Sequence, residues 1–314
     1  MSEIHVVFGT GAVGLALLDE LAAAGLPARA VNRSGRAEVL DGVEIVAGDA
    51  SDPEFAVRAA ADAAVVYQCL NPPYNRWAEL FPPLQDAAVH AARANGARYV
   101  SFENTYMYGD TRGAPMTETT AVGAHTRKGR VRLAMAEQLR GLAARGDLEI
   151  TTARASDYFG PRGTLQSPLG DLVIGAALND KPCRVMGNPD QPHSYTYIPD
   201  AARTLALLGT RGGVAGEVFH VPNAPAQSTR EIIGLISEQM GRRLKVSVAP
   251  RSVLRLIGLF NPVVREFDEM AYEFTQPYVV DGAKAETRLG LVPTPLNNAI
   301  ADTVAWFRGR AGSQ

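Results

Sequence analysis

The sequence predicts an α/β protein built on a doubly wound parallel sheet, with a smaller, interleaved C-terminal domain. Three observations carry that expectation. Short β-rich runs alternate with alanine-rich helical runs through about residue 160, the pattern of βαβ units. Several of the strand runs are apolar along their length, as expected when helices cover both faces of a sheet. The first of them, Ile4-His5-Val6-Val7-Phe8, runs into Gly9-Thr10-Gly11-Ala12-Val13-Gly14, a glycine turn that opens a helix.

Taken in order, strands are expected at Ile4–Phe8, Ala28–Asn32, Val43–Val46, Ala64–Tyr67, Ala97–Phe102 and Glu149–Arg154. Helices are expected between them near Ala12–Ala24, Pro53–Ala61, Arg76–Asn95 and Lys128–Ala144. Beyond Pro161 proline, glycine and short helices dominate. Amphipathic helices near Thr229–Met240, Ser252–Leu259, Pro262–Phe274 and Leu296–Arg308 suggest a capping domain. The expected division is a dinucleotide-binding part over residues 1–165, with return segments near 184–222, and a substrate-binding part over 166–183 and 223–314.

Bulk properties exclude several classes. The 314 residues suffice for one large domain or two modest ones. A formal charge of -2 gives no nucleic-acid footprint, and Arg127–Arg132 is the one dense basic cluster. Cys69 and Cys183 have no metal-ligand spacing and make no disulfide framework, and the five histidines form no zinc pattern. No apolar run approaches the ~18 residues of a membrane span. Because the sequence runs at once into its first strand, no signal peptide is expected. A soluble, cytoplasmic protein with no membrane or nucleic-acid partner is the expectation.

The glycine turn has the spacing of a dinucleotide site. Gly9 permits the tight turn, Gly11 lets the backbone approach a pyrophosphate, and Gly14 lets helix and strand pack closely. The helix start at Ala12 and Val13 offers N–H groups and a positive dipole end to the phosphates, with Thr10 in the same loop. An acidic residue ending the second strand would bind a ribose 2′-hydroxyl, yet that stretch reads Val31-Asn32-Arg33-Ser34-Gly35-Arg36. A guanidinium binds a 2′-phosphate through two hydrogen bonds, so Asn32, Arg33 and Arg36 point to NADP(H) rather than NAD(H). The bland alternative is a solvated turn. Asp49 and Ala50 are placed for an adenine-edge contact, although Asp49 could equally cap the helix at Pro53. Cys69, Leu70 and Asn71 follow the fourth strand, where the chain passes the middle of the cofactor, and Tyr74 could wall the site.

Further motifs point to a family. Ser101-Phe102-Glu103-Asn104-Thr105-Tyr106-Met107-Tyr108-Gly109, Arg154 through Pro161, Tyr195 through Ala202, and Asp281…Lys284…Leu289-Gly290…Pro293 accompany Gly9–Gly14 and Gly48-Asp49. With these segments the chain resembles the extended short-chain dehydrogenase/reductase superfamily, in its NAD(P)-dependent epimerase/dehydratase branch, over nearly its whole length. The resemblance implies a Rossmann-type cofactor domain, a small-molecule substrate and a homodimer.

The departure from the family is as informative. The resemblance implies a Tyr-x-x-x-Lys pair on the helix after the fifth strand, but the lysines are Lys128, Lys181, Lys245 and Lys284, and the residues four before them are Ala124, Ala177, Gly241 and Val280. With Glu137 as the register mark, the Tyr and Lys positions become Gly129 and Leu133, and the family's serine position becomes Asn104. A positioned acid/base contributes ~10²–10⁴ in rate, so an active enzyme must find that contribution elsewhere.

Several candidates present themselves. Lys128 and Arg132 are i, i+4 on one helix face and could both point to the cofactor cleft, or could decorate a solvated face. Tyr158, beside Asp157, follows the sixth strand, or is the packing tyrosine of its turn. Thr105 and Tyr106 end the fifth strand, where open α/β sheets bind ligands, with Tyr106 as a pocket wall. The Asn104 amide could hydrogen-bond a substrate carbonyl or hydroxyl. His193 aligns with a substrate-contacting position, against the reading of a packing histidine. Three functions follow. They are an NADP(H)-dependent oxidoreductase acting on a small carbonyl or secondary alcohol, a nucleotide-sugar epimerase or dehydratase, and a non-catalytic NADP(H)-binding sensor or scaffold.

Overall fold

The apolar runs line up as one parallel sheet. The computed structural model describes residues 4–248, 259–260, 266 and 268–311. Strands β1 (Ile4–Phe8), β2 (Ala28–Asn32), β3 (Glu44–Ala47), β4 (Ala63–Gln68), β5 (Arg98–Glu103) and β6 (Ile150–Arg154) are joined by a short seventh strand, Val218–His220. Their order across the sheet is Val218–His220, β6, β5, β4, β1, β2, β3, and every pairing is parallel. Strand order reverses between β1 and β4, which opens a crevice at their carboxyl ends. The expected strands all form, with ends displaced by a residue at β3, β4, β5 and β6.

Two compact units emerge from the chain. The first comprises Met1–Met107, Arg127–Ala155 and Ala201–Val221 and contains the whole seven-stranded sheet. Helices α1 (Ala12–Ala23), α2 (Pro53–Ala59), α3 (Trp77–Ala94) and α4 (Arg127–Ala144) connect its strands. Val6, Phe8, Val66, Tyr99 and Ile150 from the sheet pack on Ala56, Ala88, Ala92 and Leu139 from the helices. Small alanine side chains let the helices approach the sheet closely, and β-branched residues fill the pleat.

The second unit comprises Tyr108–Thr126, Ser156–Asp200 and Pro222–Gln314. Its strands are short ladders: Asp157–Phe159 beside Tyr195–Tyr197, Cys183–Val185 beside Val246–Val248, and Pro192–His193 antiparallel to Gln227–Ser228. Its core gathers Phe159, Leu169, Val173, Ile232, Ile236, Ile300, Val304 and Phe307. The helix Thr229–Met240 forms as expected, opened by a Ser228–Glu231 capping box and closed by Gly241 in the left-handed region.

Several elements escape the sequence pattern, among them Val218–His220 and the helix Ile198–Thr210. Val218–His220 is three residues long, too short for a periodic signal. The helix Ile198–Thr210 carries Pro199 in its first turn, where no backbone donor is needed. The helix expected over Ser252–Leu259 lies outside the described residues except for Leu259. That over Pro262–Phe274 is described only at Glu266 and from Asp268, and Ala271–Phe274 is a 3-10 turn. Among the described residues, no helix is long and apolar enough to cross a membrane.

Candidate active site

At the carboxyl edge of the first unit, backbone hydrogen bonds lace the loops together. Gly9 N donates to Val31 O (2.9 Å), Cys69 N to Phe8 O (2.8 Å) and Gly48 N to Asn32 O (3.0 Å). The three glycines of the first loop differ in what demands them. Gly9 sits at φ +101°, and a Cβ there would lie 2.8 Å from the Cys69 backbone. A Cβ on Gly14 would lie 1.9 Å from Gly9 O. Gly11 has an ordinary φ of -74°, and its Cβ would meet nothing within 4 Å. Packing inside the protein therefore requires the outer glycines but not the middle one. Gly11 is also the N-cap of α1, with no side-chain cap and no acidic residue in the first turn. The cradle over Ala12 and Val13 is open, made of helix N–H donors, and fits a pyrophosphate.

The turn after β2 is organised by Asn32. Its Nδ2 donates to Thr10 Oγ1 (2.8 Å) and Arg36 O (3.0 Å), while its Oδ1 accepts from Gly35 N (2.7 Å) and Ser34 Oγ (3.2 Å). The Asn32 amide thus ties this turn to the glycine loop. Arg33 and Arg36 are exposed, and among the described residues neither guanidinium has a hydrogen-bond or ion-pair partner. The cap of α2 is Asp52, whose Oδ1 accepts from Glu54 N, so Asp49 is not the helix cap. Asp49 instead accepts from the Ser51 backbone N–H (2.9 Å) and hydroxyl (2.8 Å). These bonds hold its carboxyl below the usual range, with Arg33 adding to the effect. Ala50, next to it, is buried.

Beyond β4, burial pushes the Cys69 thiol up to about 12, so it is inert at neutral pH. Leu70 packs against the core and Asn71 is exposed. Tyr74 begins a single 3-10 turn leading into α3. Trp77 Nε1 donates to Pro72 O (3.1 Å), and the Trp77 ring meets Tyr74 edge-on (5.2 Å) and stacks near Tyr106 (5.8 Å). Lys128 is buried; its Nζ donates to Tyr74 O (2.7 Å) and lies 3.9 Å from the Tyr74 ring centre.

Arg132, also expected in the cleft, is 1% exposed. Its guanidinium lies over Phe81 (4.7 Å) and 3.8 Å from Glu103 Oε1, while Arg154 Nε donates to Glu103 Oε2 (2.9 Å). Burial pushes the Arg132 guanidinium down, and Glu103 beside it pushes it back up. The expected solvated or cleft-facing pair is therefore two buried cations with different partners. The Glu103 clamp joins the ends of β5 and β6 directly before Asn104. The half-buried Asn104 accepts from Tyr106 N (3.2 Å) through Oδ1, and its Nδ2 has no partner among the described residues. Thr105 is buried beside it.

Tyr158 and His193 belong to the second unit. The Tyr158 hydroxyl donates to Gln166 Oε1 (2.9 Å), and burial, reinforced by Asp157, pushes the phenol up to about 12. His193 is buried, stacked on Phe274 (5.2 Å) and Tyr278 (5.1 Å). Its Nε2 lies 3.0 Å from Asp157 Oδ2 and its Nδ1 3.2 Å from Glu273 O. Both ring nitrogens are engaged, which is the packing-histidine arrangement. Sequence reasoning passed over Glu273, a fully enclosed carboxyl whose only signal was an acid inside the aromatic run Ala271–Phe274. Burial, aided by Asp157, raises its pKa well above the usual range, against a hydrogen bond from the Tyr278 hydroxyl (3.0 Å).

Two predictions follow from these environments. Gly11→Ala should keep the wild-type melting temperature yet weaken dinucleotide binding, whereas Gly14→Ala should lower the melting temperature; equal melting losses would refute the open-cradle reading. Because the folded-state pKa of Glu273 is raised, its contribution to stability is present at acid pH and is lost as pH rises through the folded value. Glu273→Gln should therefore flatten that decline in urea unfolding measured across pH, and an unchanged slope would contradict the assignment.

Known proteins share this architecture. A dTDP-glucose 4,6-dehydratase of Neisseria gonorrhoeae is 24% identical over 213 residues, 67% of this chain and 59% of that protein. The Sterol demethylase protein B of Methylococcus capsulatus is 26% identical over 180 residues, 54% of this chain and 52% of that protein. The chain thus spans little more than half the length of these relatives. Among solved structures, the UDP-glucuronic acid 4-epimerase of Bacillus cereus, in complex with UDP-glucuronic acid and NAD, superimposes with a TM-score of 0.80 at 18% identity. That superposition covers 98% of this chain and 99% of the epimerase, and is a likeness of fold. Residues 4–221, well over half of the sequence, match a single family, and the chain belongs to the NAD dependent epimerase/dehydratase family.

Proposed function

We propose that the protein is an enzyme that binds NADP(H) across the carboxyl edge of its sheet and exchanges a hydride with a secondary carbinol or carbonyl carbon of a small molecule. The observation that carries this reading is the open cradle at Gly11, flanked by glycines that the fold itself requires. Such a cradle supplies backbone donors to a pyrophosphate at the crevice where strand order reverses. The bound dinucleotide would be held by Gly9–Gly14, the β2 turn and the Asp49 loop, and would supply the hydride acceptor or donor. The first unit is taken as the cofactor domain and the second as the substrate domain.

Preference for the phosphorylated coenzyme is supported by Arg33 and Arg36, two exposed guanidinium groups with no partner among the described residues and no carboxylate ending β2. The Asn104 amide, with its unpartnered Nδ2, suits a hydrogen bond to the substrate oxygen. For the substrate class, a nucleotide sugar is favoured by the names of the dehydratase and the epimerase above. A free carbonyl or alcohol is the second reading. It is favoured by the loss of the tyrosine–lysine motif and by a relative named for sterol demethylation. A homodimer accompanies the proposal as an expectation of the family resemblance, and a cytoplasmic setting as an expectation of the sequence.

A coenzyme titration followed by a substrate panel tests it. Saturable NADPH binding with coenzyme turnover on nucleotide sugars supports the first substrate class, and turnover on free carbonyls alone supports the second. Binding without turnover on either would leave only the sensor reading. Arg33→Asp should weaken NADP(H) by about 1.5–3 kcal/mol through loss of charge-assisted hydrogen bonds, with NAD(H) much less affected. Equal weakening of both coenzymes would overturn the 2′-phosphate assignment.

A further inference from the structure

Tyr74 and Lys128 are 54 residues apart in sequence, yet the ammonium lies against the phenol ring. We propose that these two side chains form the proton-transfer couple of the site, with Tyr74 as the acid/base and Lys128 as the cation that sustains its ionised form. This assignment rests on the hydride-exchange reading above and names the residues that complete it.

Four other phenols are held in the protonated form at neutral pH. Burial pushes Tyr67, Tyr99 and Tyr195 up, and holds Tyr158 protonated at neutral pH. Tyr74 differs in two ways. It stands on the crossover leaving β4, beside the point where strand order reverses. It also has Lys128 at 3.9 Å from its ring centre. A positive charge beside a phenol favours the phenolate, and the burial of Lys128 protects that interaction from screening by salt.

The surrounding contacts fix the geometry. Lys128 Nζ donates to Tyr74 O, and Trp77 Nε1 donates to Pro72 O, so two carbonyls of the loop are pinned. The Trp77 ring supports Tyr74 edge-on and lies 5.6 Å from Lys128 Nζ. Lys128 is thus locked in place before any ligand arrives, which is how preorganised electrostatics avoid reorganisation during the reaction.

The step balances. In oxidation the Tyr74 phenolate takes the hydroxyl proton of a secondary alcohol, and an oxidised pyridine dinucleotide held at Gly9–Gly14 would accept the electron pair of the breaking carbinol C–H bond as hydride. The carbon–oxygen single bond becomes a carbonyl. The substrate loses two electrons, the dinucleotide gains them, and the proton rests on the Tyr74 oxygen. Reduction runs the same path backwards.

The test uses the ultraviolet absorbance of tyrosinate in the coenzyme-free protein, titrated with base. The wild-type minus Tyr74→Phe difference should show one phenol ionising below the ~10 of a free tyrosine. Lys128→Met should move that ionisation upward, and Lys128→Arg should keep it low. With the substrate found by the panel, Tyr74→Phe should lose ~10²–10⁴-fold in turnover while coenzyme affinity stays at the wild-type value. A Tyr74 ionisation at or above ~10, indifference to Lys128→Met in a folded protein, or full turnover in Tyr74→Phe would each overturn the proposal. A wild-type protein that fails to bind coenzyme sinks the hydride-exchange reading instead, and the coenzyme-free titration still decides whether the couple exists.

Discussion

Everything at the carboxyl edge depends on how closely α1 starts behind β1. The space between Gly14 and Gly9 O admits no side chain at all, because a Cβ would sit at 1.9 Å. A glycine inside a helix costs about 1 kcal/mol relative to alanine, and Gly14 accepts that cost so that the helix can begin at the strand end. The same approach brings the Cys69 backbone against Gly9 and closes the protein side of the loop. What remains open is the side above Gly11, where no side chain among the described residues caps the helix start. Tight packing below and an open cradle above are one geometric fact.

Charge is sorted by the same architecture. Cations that enter the first unit's interior are matched: Arg132 and Arg154 share Glu103, and Lys128 has the Tyr74 carbonyl and ring. An unmatched buried charge would cost several kcal/mol, which is why Arg132 on α4 reaches inward to a carboxylate rather than outward to a ligand. Arg33 and Arg36 lie on a solvated turn, where an uncommitted guanidinium costs little. Neither makes a hydrogen bond or ion pair among the described residues. In the second unit Asp157 engages His193, and Glu273, enclosed near them, favours its neutral form.

The buried Arg132–Glu103–Arg154 group also explains why the end of β5 is well defined. Ala155 N donates to Glu103 O, adding a backbone bond to the side-chain clamp. Asn104 follows at once, so its amide is presented from an anchored point rather than a free loop. A group held this way would lose little entropy on binding a ligand.

Much of the fold was legible in the sequence because it is written in local periodicity. Ile4–Phe8 and Ala28–Asn32 are short β-rich runs, and their strands have the expected ends; Gly9 and Gly14 mark the turn by the close approaches the backbone requires there. The Arg33-Ser34-Gly35-Arg36 stretch showed its missing carboxylate without any structure. Other questions had two local answers. Asp49 and Asp52 were both sensible caps for Pro53, and only the hydrogen bonds chose Asp52. Lys128 and Arg132 share a helix face by spacing, yet burial against Tyr74 and against Glu103 gave them separate tasks. His193 had both a substrate-contacting and a packing reading until three aromatic rings and two oxygen partners closed around it. Backbone conformation and hydrophobic period act over a few residues, so one chain segment records them. Partner choice is settled by packing between segments tens of residues apart, and no single segment carries that information.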